Sequence, residues 1–118
     1  MDRSNANLSI EYIGGVTVVV PTDTKILEEE QIQSLEKTFM SLIEQNAGAR
    51  LLIDFSHVQF LTSSVLGLLI RLSRRVSQAE GRLRLCSIAP KILEIFKITR
   101  LDKVFEIYKD RQQALEGL

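Results

Sequence analysis

The sequence predicts an α/β fold, a mixed β-sheet of about five strands covered by four helices, and three observations carry that prediction. An alternating run, Leu8-Ser9-Ile10-Glu11-Tyr12, is joined to a β-branched run, Val16-Thr17-Val18-Val19-Val20, through Ile13-Gly14-Gly15. Paired glycines there supply the positive φ of a tight hairpin. Apolar residues then recur at helical spacing, and short apolar runs alternate with helical ones to give the order β-β-α-β-α-β-α-β-α. Alternation of that kind after a hairpin predicts a mixed sheet under a layer of helices.

Each element has a local reason. Pro21 ends the second strand because proline cannot donate to a ladder, and a polar loop, Thr22-Asp23-Thr24-Lys25, follows. Ile32, Leu35, Phe39, Leu42 and Ile43 lie on one helical face. Glu28, Glu29 and Glu30 suit the positive end of that helix, and Ala47-Gly48 reads as its stop, with Gly48 free to take the left-handed cap conformation. Leu51-Leu52-Ile53-Asp54-Phe55 is the kind of apolar run buried on both faces of a sheet. The next helix is expected from Ser63 to Glu80, ending at Gly81, with a core stripe of Val65, Leu68 or Leu69, Leu72, Val76 and Ala79. Arg71, Arg74, Arg75 and Gln78 take its opposite side. Arg82 to Cys86 reads as a strand, and Pro90 suits the first turn of a helix over Lys91 to Ile98. Val104 to Tyr108 reads as a last strand, and Asp110 with Gln113 as a near capping box opening a helix through Leu118.

Bulk composition narrows the function classes. At 118 residues one domain, 1–118, is expected. Lys plus Arg (15) equals Asp plus Glu (15), so no global charge draws the chain to nucleic acid or an acidic membrane. The apolar runs are too short to span a bilayer and residues 1–5 lack a signal-peptide pattern, which points to the cytoplasm. In that compartment the glycosylation pattern Asn7-Leu8-Ser9 is noise. A single cysteine, Cys86, excludes an intramolecular disulfide and reads as a small buried residue. No Walker loop or metal-spaced cluster stands in the sequence, and no cofactor is expected.

The segment Leu61-Thr62-Ser63-Ser64-Val65-Leu66-Gly67 carries the functional signal. It sets hydroxyls at a helix start, where unpaired backbone N–H groups and a partial positive charge accept an oxygen or an anion. The structural reading is an N-cap, with Thr62 or Ser63 bonding a backbone N–H and contributing roughly 1 kcal/mol. The functional reading is a phosphorylation site, since a phosphate would add about −1.5 to −2 charges beside those N–H groups. Leu66 and Ile70 form a second apolar stripe beside the core stripe. They either pack under a neighbouring element or offer a partner an apolar contact.

The longer run Asp54-Phe55-Ser56-His57-Val58-Gln59-Phe60-Leu61-Thr62-Ser63-Ser64-Val65-Leu66-Gly67 resembles the signature of bacterial STAS domains, the anti-sigma-factor antagonists. Their pattern runs Asp-Leu-Ser-x-Val-x-Phe-Met-Asp-Ser-Ser-Gly-Leu-Gly. Gly81 to Cys86 is similar to that family's fourth strand, and Ile98 to Tyr108 to its Thr-Gly-Leu-Asp-Lys-Ile-Phe close. The resemblance covers nearly the whole chain. It implies a non-enzymatic partner switch that binds an anti-sigma factor, usually a serine kinase, and so frees a sigma factor. Phosphorylation of Ser63, with Ser64 its neighbour, would release the partner, and a cognate phosphatase would reset it. The implied partner surface combines the helix start, Thr62, Ser63, Ser64 and Val65, with the loop residues Asp23 and Thr24, and the second apolar stripe adds Leu66 and Ile70 to the expected partner-binding set. Two departures from the pattern matter: Thr62 stands where an acid is usual, and Val65, where glycine is usual, can partly cover Ser63.

Other readings are weaker. A STAS module that scaffolds a complex without reversible phosphorylation fits the same resemblance, although the transporter members of the family are disfavoured because no transporter segment precedes the domain. Asp54, His57 and Ser63 suggest a Ser-dependent hydrolase, but there is no Gly-x-Ser-x-Gly elbow. Arg71, Arg74 and Arg75 read as a solvated, ion-paired face, without the interleaved aromatics of a single-strand nucleic-acid binder.

Overall fold

Strands β1 (Leu8–Ile13) and β2 (Val16–Pro21) form an antiparallel hairpin in the computed structural model, which describes residues 8–118. The readings placed on residues 1–5 and on Asn7 lie outside those residues. Gly14 and Gly15 turn the hairpin at φ +56° and +82°, the left-handed pair that matches the twist of the flanking strands. There follow β3 (Lys25–Ile26), α1 (Glu29–Gln45), β4 (Arg50–Asp54), β5 (Phe60–Leu61), α2 (Ser63–Gln78), β6 (Arg82–Cys86) and α3 (Pro90–Ile98). A 3₁₀ turn (Leu101–Lys103), β7 (Glu106–Tyr108) and α4 (Arg111–Leu115) complete the chain.

The main sheet has five strands in the order β1-β2-β4-β6-β7, with β1 antiparallel to β2 and the remaining neighbours parallel. This is the mixed α/β sheet with four helices that the sequence predicts. An addition to it is a separate two-stranded parallel sheet, β3 with β5, in which Lys25 pairs with Phe60 and Ile26 with Leu61. Lys25 therefore leaves the expected polar loop, and a strand of two residues is too short to show a period.

Alternation along the parallel strands sorts side chains to two faces. Val19, Leu51, Ile53, Leu83 and Leu85 meet α1, α2 and α3 through Phe39, Leu68, Leu72, Ile92 and Phe96. Val16, Val18, Val20, Leu52 and Cys86 meet Ala114 of α4 on the other face. Leu51, Leu52 and Ile53 are at most 1% exposed, so β4 is closed on both sides, as its apolar run requires. Cys86 lies in that second face, where burial raises its thiol to about 11 and keeps it protonated at neutral pH.

Three element ends differ from expectation. Val104 and Phe105 do not join β7: their amides return to Leu101 O at 3.0 and 3.1 Å. Phe105 instead turns into the core, edge-on to Phe96 with centroids 6.0 Å apart, because a buried ring outweighs two more ladder positions on an edge strand. The C-terminal helix stops at Leu115, although Asp110 does cap it, Oδ1 accepting from Gln113 N at 2.9 Å. The first helix, α1, ends at Gln45 with Asn46 as its cap, and Gly48, at φ +75°, belongs to the following turn.

The close of α2, expected at Gly81, is shared between two residues. Glu80, at φ +60°, takes the left-handed position, and Gly81 N reaches back to Val76 O at 2.8 Å, the pairing of a Schellman close. Gly81 is needed for space instead, since a Cβ there would collide with the Ala49 carbonyl. Glu80→Gly should therefore raise stability by about 0.5–1 kcal/mol, and Gly81→Ala should lower it by about 1–3 kcal/mol. Urea unfolding of the two variants checks both signs.

Arginines fasten α4 over the second face. Arg84, itself buried, donates to Ala114 O (3.0 Å), Glu116 O (2.6 Å) and Glu106 Oε1 (3.0 Å), and its guanidinium lies 4.8 Å from the Tyr108 ring centroid. Arg82 and Arg50 reach Gly117 O and Leu118 O. Arg111 forks onto Asp54 Oδ2 at 2.9 and 3.1 Å and reaches Glu11 at 3.0 Å. Removing one partner of a buried pair strands the other charge, at a cost of roughly 3–5 kcal/mol when both are fully buried. Arg111 keeps about a third of its side chain in solvent, so Arg111→Ala should lose a smaller amount, about 2–3 kcal/mol, in denaturant titration.

Candidate partner-docking site

The mini-sheet builds the site by tying the loop after β2 to the start of α2. Thr24 O accepts from Gln59 N (2.7 Å) and Phe60 N (3.1 Å), and the β3–β5 pairing continues that seam to Leu61. Gln31, in the first turn of α1, secures the loop from the other side. Its Nε2 donates to Asp23 Oδ2 (2.8 Å) and Lys25 O (2.9 Å), while its Oε1 accepts from the amides of Leu27 and Glu28. The Asp23–Thr24 segment and Thr62–Ser64 are thereby brought to one end of the fold, beyond the C-terminal ends of β2 and β4, where open α/β sheets place their functional loops.

Residue by residue, the expected set divides. Ser63 and Ser64, the first residues of α2, are exposed, as is Thr24, and Asp23 is half-buried. Val65 and Leu66 are 2% and 8% exposed and belong to the core. Val65 therefore turns inward and leaves Ser63 open, and Leu66 presents no contact surface. Ile70 is half-buried and packs against the same core. The second apolar stripe of α2 exists because α2 packs on α1 as well as on the sheet, so it is the neighbouring helix that covers it.

The cap reading is corrected too. Thr62 occupies the N-cap position with extended backbone (φ −96°, ψ 168°) and its carbonyl accepts from Val65 N at 3.0 Å, but its side chain makes no cap bond. Thr62 Oγ1 is buried without a hydrogen-bond partner among the described residues. The first amides of α2 thus receive nothing from a capping side chain. A buried hydroxyl with no partner is destabilising, and replacing it by an isosteric methyl is nearly neutral or favourable. Thr62→Val should leave the thermal midpoint unchanged or raise stability by up to about 1 kcal/mol, whereas a capping threonine would lose about 1 kcal/mol. Calorimetry of the pair decides.

The hydrolytic trio is not assembled. Asp54 faces the α4 side of the sheet, where Oδ1 accepts from Ser56 N (2.9 Å) and Oδ2 from Arg111. His57 is exposed, and among the described residues no hydrogen bond joins it to Asp54 or Ser63. Arg71, Arg74 and Arg75 are exposed, with Arg71 paired to Glu36 at 3.2 Å. No cluster of potential metal ligands occurs among the described residues, and no helix among them is long and apolar enough to cross a membrane.

One feature of the site lay outside the sequence reading. Phe60 is 46% exposed, and the ammonium groups of Lys25 and Lys91 lie 5.5 and 5.6 Å from its ring centroid. Its place next to the serines was visible in the sequence, but the lysines come from β3 and α3, so no local pattern could assemble the group.

A five-stranded mixed sheet with helices layered on it, an exposed serine pair opening α2, and a tethered neighbouring loop define a compact α/β domain. The chain belongs to the STAS domain family, whose model matches residues 7–114. Among its relatives is the anti-sigma F factor antagonist of Paenibacillus polymyxa, 21% identical over 114 residues, or 97% of this chain and 96% of that one. The STAS domain protein of Planctomyces limnophilus superposes with a TM-score of 0.82 at 28% identity, over 92% and 94% of the two chains. The anti-sigma factor antagonist of Mycobacterium paratuberculosis gives 0.80 at 25% identity, over 97% and 94%. The Bacillus cell fate determinant SpoIIAA in its phosphorylated form gives 0.70 at 18% identity, over 93% and 97%.

Proposed function

We propose that this chain acts as a single STAS domain, 1–118, that antagonises an anti-sigma factor and is controlled by phosphorylation of Ser63. The carrying observation is the exposure of Ser63 at the first position of α2, with Val65 turned into the core beneath it. A kinase can reach such a hydroxyl without unfolding the helix. The partner is a serine-kinase anti-sigma factor, with a cognate phosphatase restoring the free hydroxyl, and the setting is cytoplasmic. The chain itself performs no catalysis in this scheme and holds no cofactor. The relatives' description as anti-sigma factor antagonists supports the partner class, and the phosphorylated Bacillus protein supports a fold that tolerates the modification.

The physical step is electrostatic. A phosphate of about −1.5 to −2 charges on Ser63 would have to be desolvated or paired when a partner docks, and a mispaired charge in an interface disfavours binding by several kcal/mol. That is a hundredfold or more in affinity, since about 1.4 kcal/mol is tenfold. Incubation with the serine-kinase anti-sigma factors of the source organism and ATP, followed by peptide mass mapping, should find one phosphate on Ser63 and none in Ser63→Ala. Ser63→Asp should weaken the partner at least about tenfold with an unchanged thermal melt. If no such kinase modifies Ser63, the unmodified scaffold reading replaces the switch.

A further inference from the structure

We propose that Phe60, Lys25 and Lys91 form the anchor that receives the partner, and that the partner surface docking there is acidic. The inference rests on the partner-switch reading and adds the sign and position of the contact.

Three elements converge to make the group: Phe60 from β5, Lys25 from β3 and Lys91 from the second position of α3. The backbone that carries the ring is held, because Phe60 N donates to Thr24 O and Phe60 pairs with Lys25 across the mini-sheet. Its side chain nevertheless keeps nearly half its surface in water. A rigidly mounted, exposed aromatic is the kind of residue that concentrates binding energy at interfaces. It lies three residues before Ser63 on the same segment, so a partner seated on the ring covers the serine as well.

The cations point to the chemistry of that partner. Tyr108 also carries a cation on its ring, but its Arg84 is already paired with Glu106 and serves the fold. Lys25 and Lys91 differ: neither forms a salt bridge among the described residues. The one ring between them compensates two like charges only in part. The carboxylates nearest them in sequence are Asp23, which accepts from Gln31, and Glu94, one turn beyond Lys91 on α3, and neither forms a salt bridge with Lys25 or Lys91 among the described residues. Thr62, which stands where the family pattern has an acid, adds no negative charge at the helix start. The net result is a small electropositive plate with an apolar centre on a chain of zero net charge. Two ammonium groups on one ring suit carboxylates beside an apolar side chain. A phosphate backbone would want a longer basic track.

The sign explains why phosphorylation would release the partner. A partner chosen for its carboxylates is repelled by a phosphate three residues away, and the same phosphate competes for the two ammonium groups.

The test uses the full chain against the serine-kinase anti-sigma factors of the source organism by calorimetry at low and moderate salt. Wild type should bind one of them, with affinity falling about tenfold or more as salt rises. The double variant Lys25→Glu/Lys91→Glu should lose at least about tenfold at low salt, and Phe60→Ala should lose about tenfold at both salt levels, each with an unchanged melting temperature. Charge-reversed protein that binds the same factor within about twofold of wild type overturns the acidic anchor while leaving the partner switch standing. Failure of every such factor to bind wild type removes the switch itself and this anchor with it. Binding of single-stranded RNA that disappears in the double variant, with the protein partner unaffected, also overturns it and marks the plate as a nucleic-acid contact.

Discussion

Water is excluded from both faces of β4, and the rest of the architecture follows from satisfying that strand. Its backbone groups can be paired only by parallel neighbours on either side, which β2 and β6 supply. Its odd-numbered residues demand a helical layer and its even-numbered ones demand cover on the far side, so α1, α2 and α3 take one face and α4 the other. The strand then ends in a carboxylate, Asp54, which must be paired because it is enclosed. Arg111 answers that need and fixes α4 in place. The chain leaving β4 crosses the same end of the sheet and arrives at Ser63 with little freedom in where the serine can stand.

The end of the fold that carries Ser63 owes its shape to a second, weaker constraint. Two residues of β3 and two of β5 are far too few to be stable alone, yet they join the Asp23–Thr24 loop to the approach of α2. Gln31 satisfies the free amides at the start of α1 and the loop's own polar groups with a single side chain. The loop is thus built as an extension of the helix layer, and that gives the exposed Phe60 ring a fixed mounting.

What the sequence reveals and conceals follows the range of each interaction. The glycine hairpin, Pro90 opening α3 and Asp110 capping α4 are all settled within three or four residues and are legible. Ser63 was placed at a helix start from neighbouring residues, and the family pattern supplied a role that local chemistry only permitted. Leu66 was ambiguous because a helix packed on two elements shows two apolar stripes, and periodicity does not say which is covered. The capping expectation for Thr62 failed on side-chain orientation, which residue type does not determine. Arg82 and Arg84 looked like the polar members of a strand, and their partners lie 22 to 35 residues away. The Phe60 plate was hidden for the same reason.

The arginine clasp on α4 also sets an order of events during synthesis. Residues 111–118 leave the ribosome after everything they cover, so the sheet and its three-helix layer can assemble first, as N-terminal parts of a chain generally do. Until residues 111–118 emerge, Asp54 lacks its guanidinium, Arg84 lacks its carbonyl acceptors Ala114 and Glu116, and Val16, Val18 and Val20 of β2 face water. The nascent molecule would therefore pass through a one-sided form, with Ser63 already standing at its helix start but the back of the sheet still open. Closure of the back thus depends on residues 111–118, on the face of the sheet opposite the helix layer that Ser63 opens.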